Sequence, residues 1–270
     1  MASPYFPDAT LDRYAKIDMN YYGECKLRLE NGWCGLQCEV GEDNIPSVCR
    51  YYPRGIRQNP KLECSISNSC EWVIEELVKN LDPIKFKRSY LKFYFDNEED
   101  IKIYPKDFFL KREESFKLLM NRDKSILERI YDIAKLVDVS LNFNEEITNS
   151  ILNRLEVVYS HSYSIGDYMK DSNFSIESAV NNIKEVIPNI DIYVEKILIN
   201  HMFFSKFPYM TSNLSLKYSI NGLFFIYMFW MRLVFDNLDK NFIDLTANFF
   251  RTAEHANMYD IINNNIHRLK

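Results

Sequence analysis

The sequence predicts a mainly α-helical protein that begins with an irregular, cysteine-rich segment of loops and short strands. Two observations carry this prediction. All six cysteines lie between Cys25 and Cys70, in a region rich in Gly and Pro, and such a composition is typical of loops. After Pro105, apolar residues recur at helical intervals. We therefore divide the chain into a cysteine-rich segment, residues 1–70, and an all-α helical domain, residues 71–270, and expect the two to pack as one unit.

Composition limits the class of protein. The chain has 270 residues, of which 47% are hydrophobic, and this is enough for a substantial core. A formal net charge of −5 argues against a nucleic-acid partner, which normally requires a basic surplus. The N-terminus resembles no export signal, so we expect a cytoplasmic protein. Clustered cysteines in that reducing compartment are more often metal ligands or redox groups than disulfides.

The first predicted helix follows the last cysteine. Ser69 is expected to cap a helix that begins near Cys70 and ends before Asp82 and Pro83. Residues 86–104 are aromatic and partly alternating, which is compatible with a strand pair around Asp96-Asn97 or with a short helix, and we favour strand or coil.

Helical periodicity then continues to the end of the sequence. Residues after Pro105 predict two helices that meet near Arg122 and Asp123. Further helices are expected at about 143–160, 175–187, 189–205, 217–236 and 240–266.

An uncharged aromatic run occupies residues 218–231, between Lys217 and Arg232. It is shorter than an ordinary transmembrane helix, and its aromatic residues follow helical spacing. We therefore expect a buried core helix. The alternative is an interface, either between copies in an oligomer or with a membrane surface.

The cysteines predict a metal site. Thiolates are soft ligands that suit zinc and iron–sulfur clusters. The spacings x8, x3, x10, x14 and x5 match neither paired zinc knuckles nor a ferredoxin run, so they do not identify the metal. Some of the cysteines could instead be buried free thiols, and Cys64 suits either interpretation. A disulfide formed by oxidation during handling is a third alternative.

Two arginines flank the aromatic residues after Cys49. Arg50 and Arg54 bracket a Tyr-Tyr-Pro sequence. Guanidinium groups there could neutralise a thiolate cluster or bind the carboxylate of a cofactor. The alternative is that both are solvated loop charges, and we favour a role at the site.

The four histidines show no His-Glu-x-x-His spacing. His201, beside an aromatic run, is predicted to be a hydrogen-bonded core residue. Glu254 and His255 form an acid/base candidate pair, and no residue is assigned a catalytic role.

Residues 25–54 have the form C-x8-C-x14-C-R-Y-Y-P-R, with Asn31-Gly32 before the second cysteine and Gly41-Glu42 in the connecting loop. This pattern resembles the flagellin lysine-N-methylase family. Ser69-Cys70-Glu71 resembles the next cysteine element of that family. Residues 111–136 are similar to its helix pair around an Asn-Arg-Asp turn, and residues 193–209 to its aromatic helix ending in Phe-Pro. Together the resemblance covers most of residues 20–235.

The resemblance implies methyl transfer from S-adenosylmethionine to flagellin lysines, with a 4Fe-4S iron–sulfur cluster held by cysteines and with radical chemistry as one route. By position it matches Cys25, Cys34, Cys49 and Cys70, whereas Cys38 and Cys64 are additions. Family members usually carry an upstream C-x3-C-C segment, but no cysteine precedes Cys25 here. Cys38 could substitute for a missing ligand.

The sequence contains no Gly-rich phosphate loop, so we expect an S-adenosylmethionine site built from the cluster and the helices. The alternative function is a non-catalytic module in which zinc or iron holds the N-terminal loops onto a helical protein-interaction domain.

Overall fold

The computed structural model describes residues 2–3, 16–17, 25–57, 61–90, 104–162, 164–170, 174–210 and 215–268. The chain forms two compact units, Met1–Tyr52 and Pro53–Lys270. The proposed division at residue 70 stays a prediction.

The first unit consists of short elements. Strand β1 (Ala2–Ser3) pairs antiparallel with β2 (Lys16–Ile17). Helix α1 (Gly35–Val40) is followed by a 3-10 turn (Glu42–Asn44) and by α2 (Ser47–Tyr51). Gly41, with φ at 81°, separates α1 from the turn, and glycine adopts this left-handed conformation without strain. We predicted only loops and strands here, because helices this short show no apolar period.

The second unit opens with an antiparallel strand pair. Strand β3 (Arg54–Arg57) pairs with β4 (Glu63–Ile66), so that Ile56 lies opposite Cys64. Strand β4 packs on a later helix, which places residues 53–70 with the helices.

Helix α3 (Glu71–Val78) begins where the sequence predicts a helix. Its N-cap residue is Cys70, whose side chain makes no capping hydrogen bond. The expected Ser69 cap is therefore wrong. The Ser69 hydroxyl lies instead 2.6 Å from the Ser67 hydroxyl and 3.0 Å from His255 Nε2.

Eight more helices follow among the described residues, and the mainly α-helical fold is confirmed. They are α4 (Phe108–Leu119), α5 (Ile126–Leu136), α6 (Glu145–Tyr159), α7 (Ile176–Val186), α8 (Ile190–Phe204), α9 (Leu216–Asp236), α10 (Phe242–His255) and α11 (Met258–Arg268).

Two regions of the second unit differ from a continuous helix or strand. The single helix predicted over 240–266 is wrong, because Ala256 is extended (φ −115°, ψ −178°) and separates α10 from α11. The break lets α11 pack against α9 and α6. Residues 83–90 form neither helix nor strand, and the rest of the predicted strand region, residues 91–103, lies outside the described residues.

Helix α9 is the centre of the second unit. Helices α5, α6, α7, α10 and α11 all pack against it. Trp230 is fully buried, with its ring 5.4 Å from that of Phe250. By length and composition α9 could cross a membrane, but 94% of its apolar window is buried inside the protein. The predicted buried core helix is confirmed.

Candidate functional site

Four of the five predicted metal ligands lie in the N-terminal unit: Cys25, Cys34, Cys38 and Cys49. A tight loop connects Cys25 to Cys34. The Arg28 N–H donates to the Cys25 carbonyl at 2.9 Å, and the Gly35 N–H donates to the Leu27 carbonyl at 2.7 Å. Gly32, with φ at 86°, supplies the left-handed residue in this loop. An antiparallel β-bridge between Arg28 and Cys34 closes the loop. Cys34 therefore lies opposite Arg28, which follows Cys25 by three residues.

The two short helices carry the next cysteines. The Cys38 N–H donates to the Cys34 carbonyl at 3.0 Å, so Cys38 lies one turn after Cys34 on α1. Cys49 lies on α2. Cys25 and Cys34 are half-buried, whereas Cys38 and Cys49 are exposed.

Cys49 interacts electrostatically with two of the other cysteines. Desolvation by burial raises the pKa of Cys49, and charge interactions with Cys25 and Cys34 raise it further. Among the described residues, however, no group of three or more His, Cys, Asp or Glu side chains is arranged to hold a metal ion. The donor chemistry fits a soft metal, but these residues do not form a closed ligand set.

Cys64 and Cys70 belong to the second unit. The pKa of the half-buried Cys64 thiol is raised, because burial raises it by more than the positive charges of Arg54 and Arg57 lower it. Cys70 is half-buried at the start of α3. All six cysteines, which lie within the described ranges, are free thiols.

The two predicted cofactor-binding arginines have different surroundings. The Arg50 guanidinium donates to the carbonyls of Asp43 and Ile45, which ties the 3-10 turn to α2 beside Cys49. Arg54 is exposed at the start of β3. Their roles in cofactor binding stay predictions.

A second candidate site is a cleft of about 450 Å³ in the helical unit, which we call the tyrosine cleft. It lies where the ends of α8 and α10 meet the starts of α9 and α11. Its lining includes Arg57, Phe204, Tyr218, Glu254, Tyr259 and Asp260.

A hydrogen-bonded chain of three side chains leads from the interior to this cleft. The Glu254 carboxylate is fully buried and lies 2.9 Å from His201 Nδ1. On the other side of the ring, Nε2 lies 3.0 Å from the Tyr259 hydroxyl. An ionised carboxylate only accepts hydrogen bonds, so Nδ1 carries the proton that it donates to Glu254. In a neutral imidazole, Nε2 then accepts from Tyr259.

The loop between β4 and α3 is tied to the same carboxylate. The Ser67 hydroxyl donates to Glu254 Oε2 at 2.6 Å, and the Asn68 N–H donates to it at 2.9 Å. The Asn68 amide donates to the Ile197 carbonyl and accepts from Asn200. Glu254 thus joins α10, α8 and this loop.

No family model, curated protein or solved structure matches the chain. Both candidate sites therefore depend on the geometry of the chain itself and on the resemblance noted above.

The sequence predicted only some of the residues at the tyrosine cleft. His201 is 1% exposed and bonded at both ring nitrogens, as predicted for a core histidine. Glu254 lies beneath the cleft, and its acid/base role stays a prediction. Tyr218, Tyr259 and Asp260 were missed, because they come together only through the break between α10 and α11.

Gly222 provides the space that Tyr259 occupies. A Cβ at this position would lie 2.0 Å from Cδ1 and Cε1 of the tyrosine ring. We expect Gly222→Ala to lower the free energy of unfolding by about 1–3 kcal/mol through overpacking. In an unobstructed helix the same change would stabilise by about 1 kcal/mol. Urea unfolding measures the difference.

The control for this prediction is the same substitution in a Tyr259→Ala background. With the ring removed, Gly222→Ala should be neutral or stabilising. An equal loss in both backgrounds would contradict the contact.

Proposed function

We propose that this protein is a protein lysine N-methyltransferase that uses S-adenosylmethionine and acts on flagellin. One observation carries the proposal. Cys25, Cys34 and Cys49 match the cysteines of the flagellin lysine-N-methylase pattern, and a loop closed by the Arg28–Cys34 bridge turns the chain back between Cys25 and Cys34. Charge interactions with Cys25 and Cys34 raise the pKa of Cys49. Thiols that are distant in sequence and brought together in this way suit ligation of a soft metal centre.

In this proposal the thiols of Cys25, Cys34 and Cys49 hold an iron–sulfur cluster, with Cys38 as a further donor. When bound, such a cluster supplies a centre that transfers one electron. Arg50 would offset the negative charge of the thiolates. Arg50 already fixes the backbone next to Cys49 through its bonds to the carbonyls of Asp43 and Ile45.

The test compares wild-type protein, Cys49→Ala and Cys64→Ala, all purified without oxygen. Cys64 is the matched control, because it is a half-buried thiol of the strand pair. We expect brown wild-type protein that contains iron and sulfide and that transfers labelled methyl groups to flagellin lysines. Cys49→Ala should lose most of its iron and its methyl transfer, whereas Cys64→Ala should retain both.

Three outcomes would contradict the proposal. The first is colourless wild-type protein that binds neither iron nor S-adenosylmethionine. The second is unchanged iron in Cys49→Ala. The third is stoichiometric zinc without methyl transfer under anaerobic reduction, which would favour a metal-binding protein-interaction module instead.

A further inference from the structure

We propose that the tyrosine cleft binds the ammonium group of the acceptor lysine, with the Asp260 carboxylate as its counterion. That the bound lysine is a methyl acceptor rests on the proposed function, but the binding of an ammonium group does not. An ammonium ion that leaves bulk water needs anionic or aromatic partners to replace its hydration.

Asp260 supplies a carboxylate at the cleft. The residue is exposed, and its Oδ1 accepts a hydrogen bond of 2.9 Å from the Tyr218 hydroxyl. Within the part of the chain that the structure describes, no basic side chain forms an ion pair with Asp260. Its negative charge is therefore available to a cationic ligand.

Two tyrosine rings adjoin this carboxylate. The rings of Tyr218 and Tyr259 are stacked, with centroids 5.8 Å apart and an angle of 27° between their planes. Both residues are buried, and the hydroxyl of each is hydrogen-bonded. Packing and hydrogen bonding together fix the positions of the two rings. Aromatic faces attract ammonium groups, and their edges and faces also bury methylene groups. A lysine side chain offers both features.

The charge of the cleft also favours a cation. Its lining contains one arginine, Arg57, and two carboxylates, Glu254 and Asp260, together with the imidazoles of His201 and His255. The Arg57 guanidinium donates to the Phe203 carbonyl at 3.1 Å and lies 5.2 Å from the centre of the Phe204 ring. A cleft with an excess of negative charge raises the local concentration of cationic ligands.

The experiment measures binding directly on the full chain. The probe is Nα-acetyl-lysine methylamide, followed by saturation-transfer NMR, and the uncharged norleucine analogue serves as its control. We expect the lysine probe to bind and the norleucine analogue to bind much more weakly. Asp260→Asn should raise the Kd of the lysine probe by about tenfold, and Tyr218→Phe should raise it less. Asp167→Asn, which changes an exposed aspartate outside the cleft, should leave it unchanged.

An unchanged Kd in Asp260→Asn would overturn the inference. If that variant does not fold, Tyr218→Phe is the test: its ring remains, but no hydroxyl holds the Asp260 carboxylate in place. A smaller rise in Kd is then expected, and an unchanged Kd would overturn the inference. S-adenosylhomocysteine also carries an ammonium group, so its competition with the lysine probe in an Asp260-dependent manner would assign the cleft to the methyl donor and overturn the lysine assignment.

The results that would refute the proposed function differ from those that would refute the cleft inference. Wild-type protein that binds the lysine probe through Asp260 but transfers no methyl group would refute the proposed function alone. Full methyl transfer by Asp260→Asn would refute only the inference about the cleft.

Discussion

Replacing Glu195 with Ala is expected to lower the free energy of unfolding by about 3–5 kcal/mol. The Glu195 carboxylate on α8 is fully buried, and it pairs with Arg122 at 2.8 Å and with Arg129 at 3.0 Å. The Arg129 side chain is only 3% exposed. Without Glu195, this guanidinium would be a buried charge without its counterion, and solvent could not compensate for the loss.

The measurement is urea unfolding with two comparisons. Glu128→Ala removes an exposed carboxylate from the capping box of α5 and should cost only about 1 kcal/mol. Adding Arg129→Met to Glu195→Ala removes the stranded charge and should recover part of the loss. Recovery should be incomplete, because Arg129 also donates to the carbonyls of Leu119 and Lys124. Equal costs for Glu195→Ala and Glu128→Ala would contradict the prediction.

Local periodicity accounts for what the sequence could predict of the fold. Helices such as α6, α8 and α9 repeat apolar residues over several turns, so each can be recognised without knowledge of the rest of the chain. The break at Ala256 could not be recognised, since neither Gly nor Pro marks it. It is set by tertiary packing, which draws α11 against α9 and α6.

The two candidate sites also differ in how far the sequence reveals them. Cysteine spacing can be read directly from the sequence, so the thiols of the first unit could be found without the structure. The tyrosine cleft depends on contacts such as that between Ser67 and Glu254, which are 187 residues apart. The only local signals were a histidine inside an apolar helix, His201, and the neighbouring Glu254 and His255. Neither pointed to Tyr218 or Asp260.

Replacing Glu254 with Ala should also lower the free energy of unfolding, by at least about 3 kcal/mol. The change removes the acceptor of three donors: the Ser67 hydroxyl, the Asn68 N–H and His201 Nδ1. Each buried donor that loses its partner costs about 1–3 kcal/mol. Glu71→Ala is the matched control. It breaks an ion pair between α3 and α10 with Arg251, but both side chains are partly exposed, and such pairs contribute about 0–1 kcal/mol.

Glu254→Gln separates the electrostatic role of this carboxylate from its structural role. Gln keeps the shape, and its carbonyl oxygen can still accept from the Asn68 N–H. Its amide then faces His201 Nδ1 as a donor, so Nδ1 must accept and the ring proton must move to Nε2. We expect a smaller loss of stability than for Ala, together with a change of His201 tautomer in ¹⁵N NMR spectra. The Tyr259 hydroxyl would then accept from His201 instead of donating to it. A Gln variant that retained the Nδ1 proton would show that Glu254 does not set the hydrogen-bond direction that reaches the cleft.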